Sequence, residues 1–107
     1  MESITCNVAL ATYTEDKEEV MDGYRQVTGY LYQIHGVSFV LHAAVNPSDK
    51  RQFTCSEYFT GHVIKHGKTM QEALDNTYEA LRLQAMSPAE RVVLKVTEFG
   101  YANPPKE

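Results

Sequence analysis

Histidine and cysteine are the residue types in this chain that most often bind zinc in structural sites. The sequence contains four histidines and two cysteines. His62 and His66 have the four-residue spacing of a metal-binding pair on a helix. We predict a strand here, on which four residues span about 13 Å, too far for two ligands of one zinc ion. We therefore expect no metal and no cofactor. A composite site that adds Cys6 and Cys55 is the alternative.

Cys55 is the residue that could act as a nucleophile, because a neighbouring histidine can convert a thiol to a thiolate. It alternates with Phe53 in a predicted strand, and this pattern favours a position in the core. Reactive thiols more often lie on turns or at helix starts. We therefore predict that Cys6 and Cys55 are reduced core residues, since free cysteine is among the most buried residue types.

Glu57 continues the alternation of Cys55 and Phe59, which would direct its carboxylate toward the apolar face. A buried carboxylate is costly unless it is paired, and it often marks a functional site. The interpretation that we favour is that the strand ends or bulges at Glu57 and exposes it. No second acid has the spacing of a general acid–base pair, so we predict that the protein is not an enzyme.

Acidic residues are concentrated near the N-terminus, in a stretch with a single lysine. They are Glu15, Asp16, Glu18, Glu19 and Asp22. The formal net charge of −4 disfavours a nucleic-acid-binding surface, which needs clustered Lys and Arg. A solvated helix face is one interpretation of the acidic stretch. The functional interpretation is a docking surface for a basic protein, such as a nuclease.

Tyrosine is unusually frequent, with seven residues in the chain. Tyr30, Tyr32 and Tyr58 lie on predicted strands, where they suit a protein interface because Tyr is enriched at such interfaces. An aromatic sheet is also typical of RNA-recognition modules, whose strands stack bases. Arg51 and Phe53, followed by Tyr58, loosely match one such strand, so RNA or single-stranded DNA binding stays as an alternative.

The elements that position these residues are predicted from periodicity and capping. Residues 3–12 alternate as a strand, and residues 15–28 carry a helical stripe behind an acidic first turn. Residues 30–45 predict extended structure interrupted at Gly36, and residues 37–60 a hairpin that turns at 46–50. Residues 62–66 continue the sheet. Thr69 and Glu72 form a capping box that starts a helix over 70–85.

The last element is ambiguous. Ser87, Pro88 and Glu90 form a second capping box, and the alternation that follows predicts a strand over residues 92–99. A helix through Lys95 is the alternative. The predicted fold is α+β, in the order βαββαβ, with two helices on one face of an antiparallel sheet. It is either ferredoxin-like or a β-β-β-α-β core with an added N-terminal β-α unit.

A glycine-bounded corner and a Thr-x-x-Glu-Ala-Leu helix start follow the predicted hairpin. The positions concerned are Gly61, Gly67, Thr69, Glu72, Ala73, Leu74 and Asn76. In these features residues 37–85 resemble the N-terminal domain of HicB-type antitoxins. The resemblance implies a small bacterial or phage protein that blocks a partner protein. One alternative is an antitoxin-like inhibitor whose partner is an RNase toxin. The DNA-binding segment common in that family is not found here, and the β-α unit of residues 3–28 is foreign to its pattern.

We therefore predict a single domain over residues 1–102 with a flexible tail at 103–107. The N-terminus has no basic region followed by an apolar run, and no apolar stretch reaches 18 residues, so we expect a cytoplasmic protein without a membrane span. The expected function is to bind and inhibit or regulate another protein, through the acidic residues and the strand tyrosines. Exposed sheet edges favour a homodimer.

Overall fold

Five antiparallel strands followed by two helices make up the fold. The computed structural model describes residues 3–13, 19–84 and 87–105. The elements are β1 (Ser3–Tyr13), β2 (Glu19–Ile34), β3 (Val37–Ser48), β4 (Arg51–Glu57), β5 (Val63–Gly67), α1 (Met70–Leu83) and α2 (Pro88–Phe99). The strands lie side by side in chain order. The α+β prediction is confirmed, but the predicted βαββαβ order is wrong.

The helix predicted for residues 15–28 is wrong over its described part, because residues 19–34 form one long strand. β1 alternates and needs an antiparallel partner, which β2 provides by pairing Val27 with Cys6 and Arg25 with Val8. Gly23 has a φ of +116°, outside the helical region. Strand pairing therefore overrides the helical spacing of the apolar residues in this segment.

The strand predicted for residues 92–99 is also wrong, and the alternative helix is observed. Ser87 caps α2 by accepting the N–H of Glu90 on its hydroxyl at 3.2 Å. Val92 packs against the core beneath the helix. The helix ends at Gly100, whose φ is +82° and whose N–H donates to the carbonyl of Val96 at 2.8 Å. Caps at both ends therefore outweigh the alternating pattern between them.

The hairpin and the helix predicted between residues 37 and 85 are confirmed. β3 and β4 pair in antiparallel register, with Leu41 opposite Cys55. α1 begins after Thr69, whose hydroxyl accepts the N–H of Glu72 at 3.0 Å. The buried residues of α1 are Ala73, Thr77 and Leu81, whose spacing of four residues places them on one side of the helix.

The sheet carries apolar residues on both faces. Phe39 and Leu41 of β3 point toward the helices, and they form the first core with Leu81 of α1. Val40, between them, points to the opposite face and forms the second core with Val8 of β1. Both helices therefore lie on one face, but the second is α2 and not the helix predicted for residues 15–28, and the opposite face has a core of its own.

β1 also contacts the chain beyond β4, and this contact encloses the second core. The N–H of Ala9 donates to the carbonyl of Gly61 at 2.8 Å. Asn103 bonds to Asn7 and to Tyr58, which links β1 to the end of β4. Asn103, which the sequence assigns to the tail, is buried with 9% of its surface exposed. Neither helix in the described part of the chain has the length and apolarity that a membrane span requires.

Candidate functional site

The residues predicted to bind a partner are divided between one strand and other parts of the chain. Glu19, Asp22, Tyr30 and Tyr32 all lie on β2. Tyr58 follows the end of β4. The other three predicted acids, Glu15, Asp16 and Glu18, precede β2 in the chain and lie outside the described residues. The prediction of an acidic helix face is wrong for Glu19 and Asp22, because they belong to a strand.

The acidic residues occur where β1 and β2 are joined. We call residues 15–22 the acidic segment; it holds five acidic residues and one lysine. The rest of the chain contains nine acidic and nine basic residues, so the whole net charge of −4 is carried by the acidic segment. Tyr13 pairs with Glu19, so in the chain the acidic segment spans the connection between two antiparallel strands and the start of the second.

β1 and β2 form a hairpin that extends past the rest of the sheet. β2 pairs with β1 from Glu19 to Tyr30, but with β3 only from Gly29 to Ile34. Asp22 is an extra residue opposite the step from Leu10 to Ala11, which makes a β-bulge next to the acidic end. We call residues 3–13 and 19–30 the β1–β2 hairpin. Its acidic end is therefore paired within the hairpin and not with β3.

One face of the β1–β2 hairpin carries exposed aromatic and hydroxyl side chains. Tyr24 and Tyr30 lie on this face of β2 with 42% and 38% of their surface exposed. Thr28 lies between them and shares a hydrogen bond of 3.1 Å with the hydroxyl of Thr5 on β1. Tyrosine supplies rigid, amphipathic contact area, and neighbouring hydroxyl groups supply adaptable hydrogen bonding, as in antibody binding loops. We call this surface the hairpin face.

Tyr24 is the residue of the hairpin face that the sequence prediction missed, because it was assigned to a helical stripe. The alternation of Tyr24, Gln26, Thr28 and Tyr30 was the signal for it. Tyr32 lies further along the same side of β2, where it packs against the first core. Tyr58 packs against the second core and contacts the Phe59 ring edge-on. Of the three tyrosines predicted at the interface, Tyr30 is therefore the most exposed.

The strand predicted to stack RNA bases is partly buried. Phe53 packs against the first core beneath the helices, as Tyr32 does. Tyr58 lies against the opposite core. These aromatic rings therefore face different sides of the sheet and do not form one stacking surface.

Glu57 is buried, with 4% of its surface exposed, so the expectation that a strand end exposes it is wrong. One carboxylate oxygen accepts the N–H of Thr60 at 2.9 Å and the Thr60 hydroxyl at 2.8 Å. The other accepts the N–H of Phe59. Burial raises the pKa of the carboxyl, and the Thr60 and Phe59 hydrogen bonds and the charge of Arg91 oppose that rise. The carboxylate thus stabilises the turn that follows β4 by accepting these hydrogen bonds.

The space around Glu57 is too small for a substrate. A cavity of about 10 Å³ lies between the sheet and α2, lined by residues that include Glu57, His62 and Arg91. That volume holds about one water molecule. The His62 ring, which lines the cavity, lies 5.0 Å from the Phe99 ring of α2. The buried carboxylate is therefore a structural group beneath α2.

A second buried polar pair joins β3 and β4. His42 Nε2 lies 2.8 Å from the Ser56 hydroxyl, and its Nδ1 lies 2.7 Å from the carbonyl of Ala43. The carbonyl can only accept, so Nδ1 carries the proton and Nε2 accepts from Ser56. Burial lowers the pKa of His42, which keeps it neutral. Ser56 has no exposed surface, so this serine–histidine pair cannot meet a substrate.

The cysteines are core residues, as predicted: Cys6 lies on β1 and Cys55 on β4. Both are free thiols and both are buried. Burial raises the pKa of Cys55 to about 11, and a hydrogen bond with Thr77 opposes the rise. A thiol with that pKa is protonated at neutral pH and is a poor nucleophile.

Metal-binding residue types do not cluster within residues 3–13, 19–84 and 87–105: no group of three or more is found there. His66 bonds through Nδ1 to the Thr54 hydroxyl at 2.8 Å, and His35 lies exposed in the turn between β2 and β3.

No family model, curated protein or solved structure matches this chain. The hairpin face, whose β2 residues follow the acidic segment in the chain, is therefore the surface that the geometry singles out.

Proposed function

We propose that this protein acts by binding a basic partner protein through the acidic segment and the hairpin face, and that binding inhibits or regulates that partner. The observation that carries the proposal is the position of the charge. In the chain, a net charge of −4 lies within the eight residues 15–22, which end two residues before Tyr24 on the strand that also carries the exposed Tyr30.

The charge favours a partner with a basic surface. Opposite charges at an interface accelerate encounter and select among partners, and the effect weakens as salt increases. Proteins that bind nucleic acid carry clustered Lys and Arg, so they are the class of partner that this surface fits. When such a partner is bound, this chain would cover the residues that the partner uses to bind its nucleic acid. That coverage accounts for the proposed inhibition.

The tyrosines supply the short-range part of the contact. Residues that dominate binding energy are enriched in Tyr, Trp and Arg and lie within a rim of weaker polar contacts. Tyr24 and Tyr30 have this setting, because Gln26 and Thr28 lie between them and are exposed.

A binding role also accounts for the buried polar groups. Glu57 and Ser56 have the residue types that catalysis uses, but each is buried and bonded within the fold. The exposed polar surface of the β1–β2 hairpin is, in contrast, open to another molecule.

The test is capture of the partner by immobilised full-length protein from a lysate of its source, at about 0.1 M and about 0.5 M NaCl. The triple variant E15Q/D16N/E18Q removes three charges from the acidic segment. The matched control D49N/D75N/E98Q removes three charges from exposed positions elsewhere. We expect the wild type and the control to retain a basic protein at low salt, and the triple variant to lose it.

The captured protein is then assayed for nucleic-acid binding with and without this chain. Inhibition by the wild type but not by E15Q/D16N/E18Q supports the proposal. Equal capture by both triple variants would contradict it, since the acidic segment would then make no special contribution.

A further inference from the structure

A groove between β5, α1 and α2 is lined by two basic side chains. Its volume is about 680 Å³. Lys65 of β5 and Arg91 of α2 line it, together with the exposed Leu83 at the end of α1. It lies on the helix side of the molecule, apart from the second core that β1 covers.

The two basic side chains of this groove form no ion pair within the described residues, although the charge of Arg91 also acts on the buried Glu57. Glu79 also lines the groove, but it pairs with Arg82 at 2.6 Å. Neither Lys65 nor Arg91 has an ion-pair partner among the residues that the structure describes. The groove therefore favours an acidic occupant, whose carboxylates would meet both charges.

Two further features suit a peptide segment. Leu83 is 69% exposed, which leaves an apolar contact at the rim of the groove. The side-chain oxygen of Gln84 is buried in the wall and accepts no hydrogen bond from the described residues. A buried hydrogen-bond acceptor is normally paired with a donor, and the backbone N–H of a bound segment can supply that donor.

The free edge of β5 is a poorer site of self-association than the groove. Lys65 occupies the centre of this five-residue strand, so antiparallel pairing of two copies about that point would bring two lysines together. The Asn76 side chain also donates to the carbonyl of His66 at 2.9 Å. Such features protect a sheet edge from pairing.

We propose that the acidic segment of one copy binds this groove in a second copy, so that the chain self-associates. The argument is charge complementarity. The acidic segment carries the whole net charge of −4, and the groove presents Lys65 and Arg91 without ion-pair partners in the described part of the chain. When each copy contributes one acidic segment and one groove, two identical contacts form a closed dimer.

This contact is independent of the partner proposed above, because it is measured with this chain alone. Both contacts use the acidic segment, so self-association and partner binding exclude each other. At high concentration the protein would therefore be a dimer, and the dimer could not bind the partner.

The test is sedimentation velocity of the full chain at about 0.05 M and about 0.5 M NaCl. We expect a dimer at low salt that dissociates at high salt. K65E/R91Q reverses the charge of the groove and E15K/D16K/E18K that of the acidic segment. Each should be monomeric alone, and an equimolar mixture should dimerise again, because opposite charges then face each other. K50E/K68Q changes the same charge at exposed positions outside the groove and should leave the dimer intact.

Circular dichroism and thermal unfolding of each variant establish that it is folded, and K65E alone serves if R91Q disturbs the buried Glu57, on which the charge of Arg91 acts. A wild type that stays monomeric at low salt overturns the proposal. So does a dimer that survives in K65E/R91Q, or a mixture of the two charge variants that remains monomeric.

Discussion

The side chain of Asn103 bonds to both backbone groups of Asn7, as a neighbouring strand would. Its Oδ1 accepts the N–H of Asn7 at 2.8 Å, and its Nδ2 donates to the carbonyl of Asn7 at 2.8 Å. The same Nδ2 donates to the carbonyl of Tyr58 at 2.6 Å. One amide therefore ties β1 to the end of β4 and holds the β1–β2 hairpin against the sheet.

Replacing Asn103 with alanine should lower the free energy of unfolding by about 2–3 kcal/mol, because partly buried backbone groups of Asn7 and Tyr58 lose their partners. Urea unfolding followed by circular dichroism measures the change. Asn46→Ala, at an exposed position, is the control and should stay within about 0.5 kcal/mol of the wild type. Equal stability of Asn103→Ala and the wild type would show that this amide does not hold β1.

Gly61 should tolerate no side chain. Its φ is +72°, and a Cβ built there would lie 2.7 Å from the backbone nitrogen of Ala9 and 2.9 Å from the Cα of Val8. Gly36 has a similar φ of +78° but nothing within 4 Å of its Cβ position, which makes Gly36→Ala a matched control for backbone strain. We expect Gly36→Ala to cost about 1–2 kcal/mol. Gly61→Ala should cost at least about 2 kcal/mol more, from the clash.

Equilibrium unfolding of the two alanine variants measures this difference. Equal costs would mean that β1 and Ala102 do not approach Gly61 as closely as the structure indicates.

Glu57 should make stability fall as the pH rises through its titration. Its pKa in the folded protein is raised by burial, so the folded state holds a proton over the range between the unfolded pKa and the folded pKa. The unfolded state has already lost that proton, and the free energy of unfolding therefore decreases with rising pH within this range. Titration of the carboxyl ¹³C signal gives the pKa directly.

Thr60→Val is the informative variant for Glu57, because it removes the hydroxyl that donates to the ionised carboxylate while keeping the side-chain shape. We expect the pKa of Glu57 to rise further in this variant. A Glu57 that titrates at or below the value of an unstructured peptide would contradict the burial of its carboxylate.

The elements that were predicted correctly have local signals. Thr69 and Glu72 mark the start of α1 by themselves, and the turn residues between β3 and β4 mark their hairpin. The elements that were predicted wrongly depend on distant residues. Residues 19–28 have a helical apolar spacing and become a strand because β1 pairs with them. In α2, two capping signals compete with an alternating pattern, and the packing of Val92 against the first core favours the helix.

The candidate site was predicted in composition but not in arrangement. The acidic residues and Tyr30 were identified from the sequence alone. Tyr24 was missed, because its exposure follows from the strand that replaces the predicted helix. The burial of Glu57 also depends on distant groups, since the turn at Thr60 and the position of α2 enclose it. The alternation of side chains in β4 correctly indicated that Glu57 points inward. The expectation that the strand end exposes Glu57 was wrong.

Tyr24 and Tyr30 should each contribute strongly to binding of the captured partner. We expect Tyr24→Ala and Tyr30→Ala each to weaken binding about 5- to 30-fold, typical of central interface tyrosines. Isothermal titration calorimetry with the purified partner measures this. Tyr78→Ala is the control, since Tyr78 is 46% exposed but lies on α1. A larger loss from the control than from either hairpin variant would move the interface to the helices.

The most direct test of the proposed interface is zero-length carbodiimide cross-linking of the complex with its captured partner, followed by mass spectrometry. The reagent joins carboxylates to lysines in direct contact, so it reports which acidic residues meet the partner. We predict that cross-links form from the acidic segment, residues 15–22, to lysines of the partner. Cross-links that come instead from Glu90 and Glu98 of α2, with none from the acidic segment, would contradict the account.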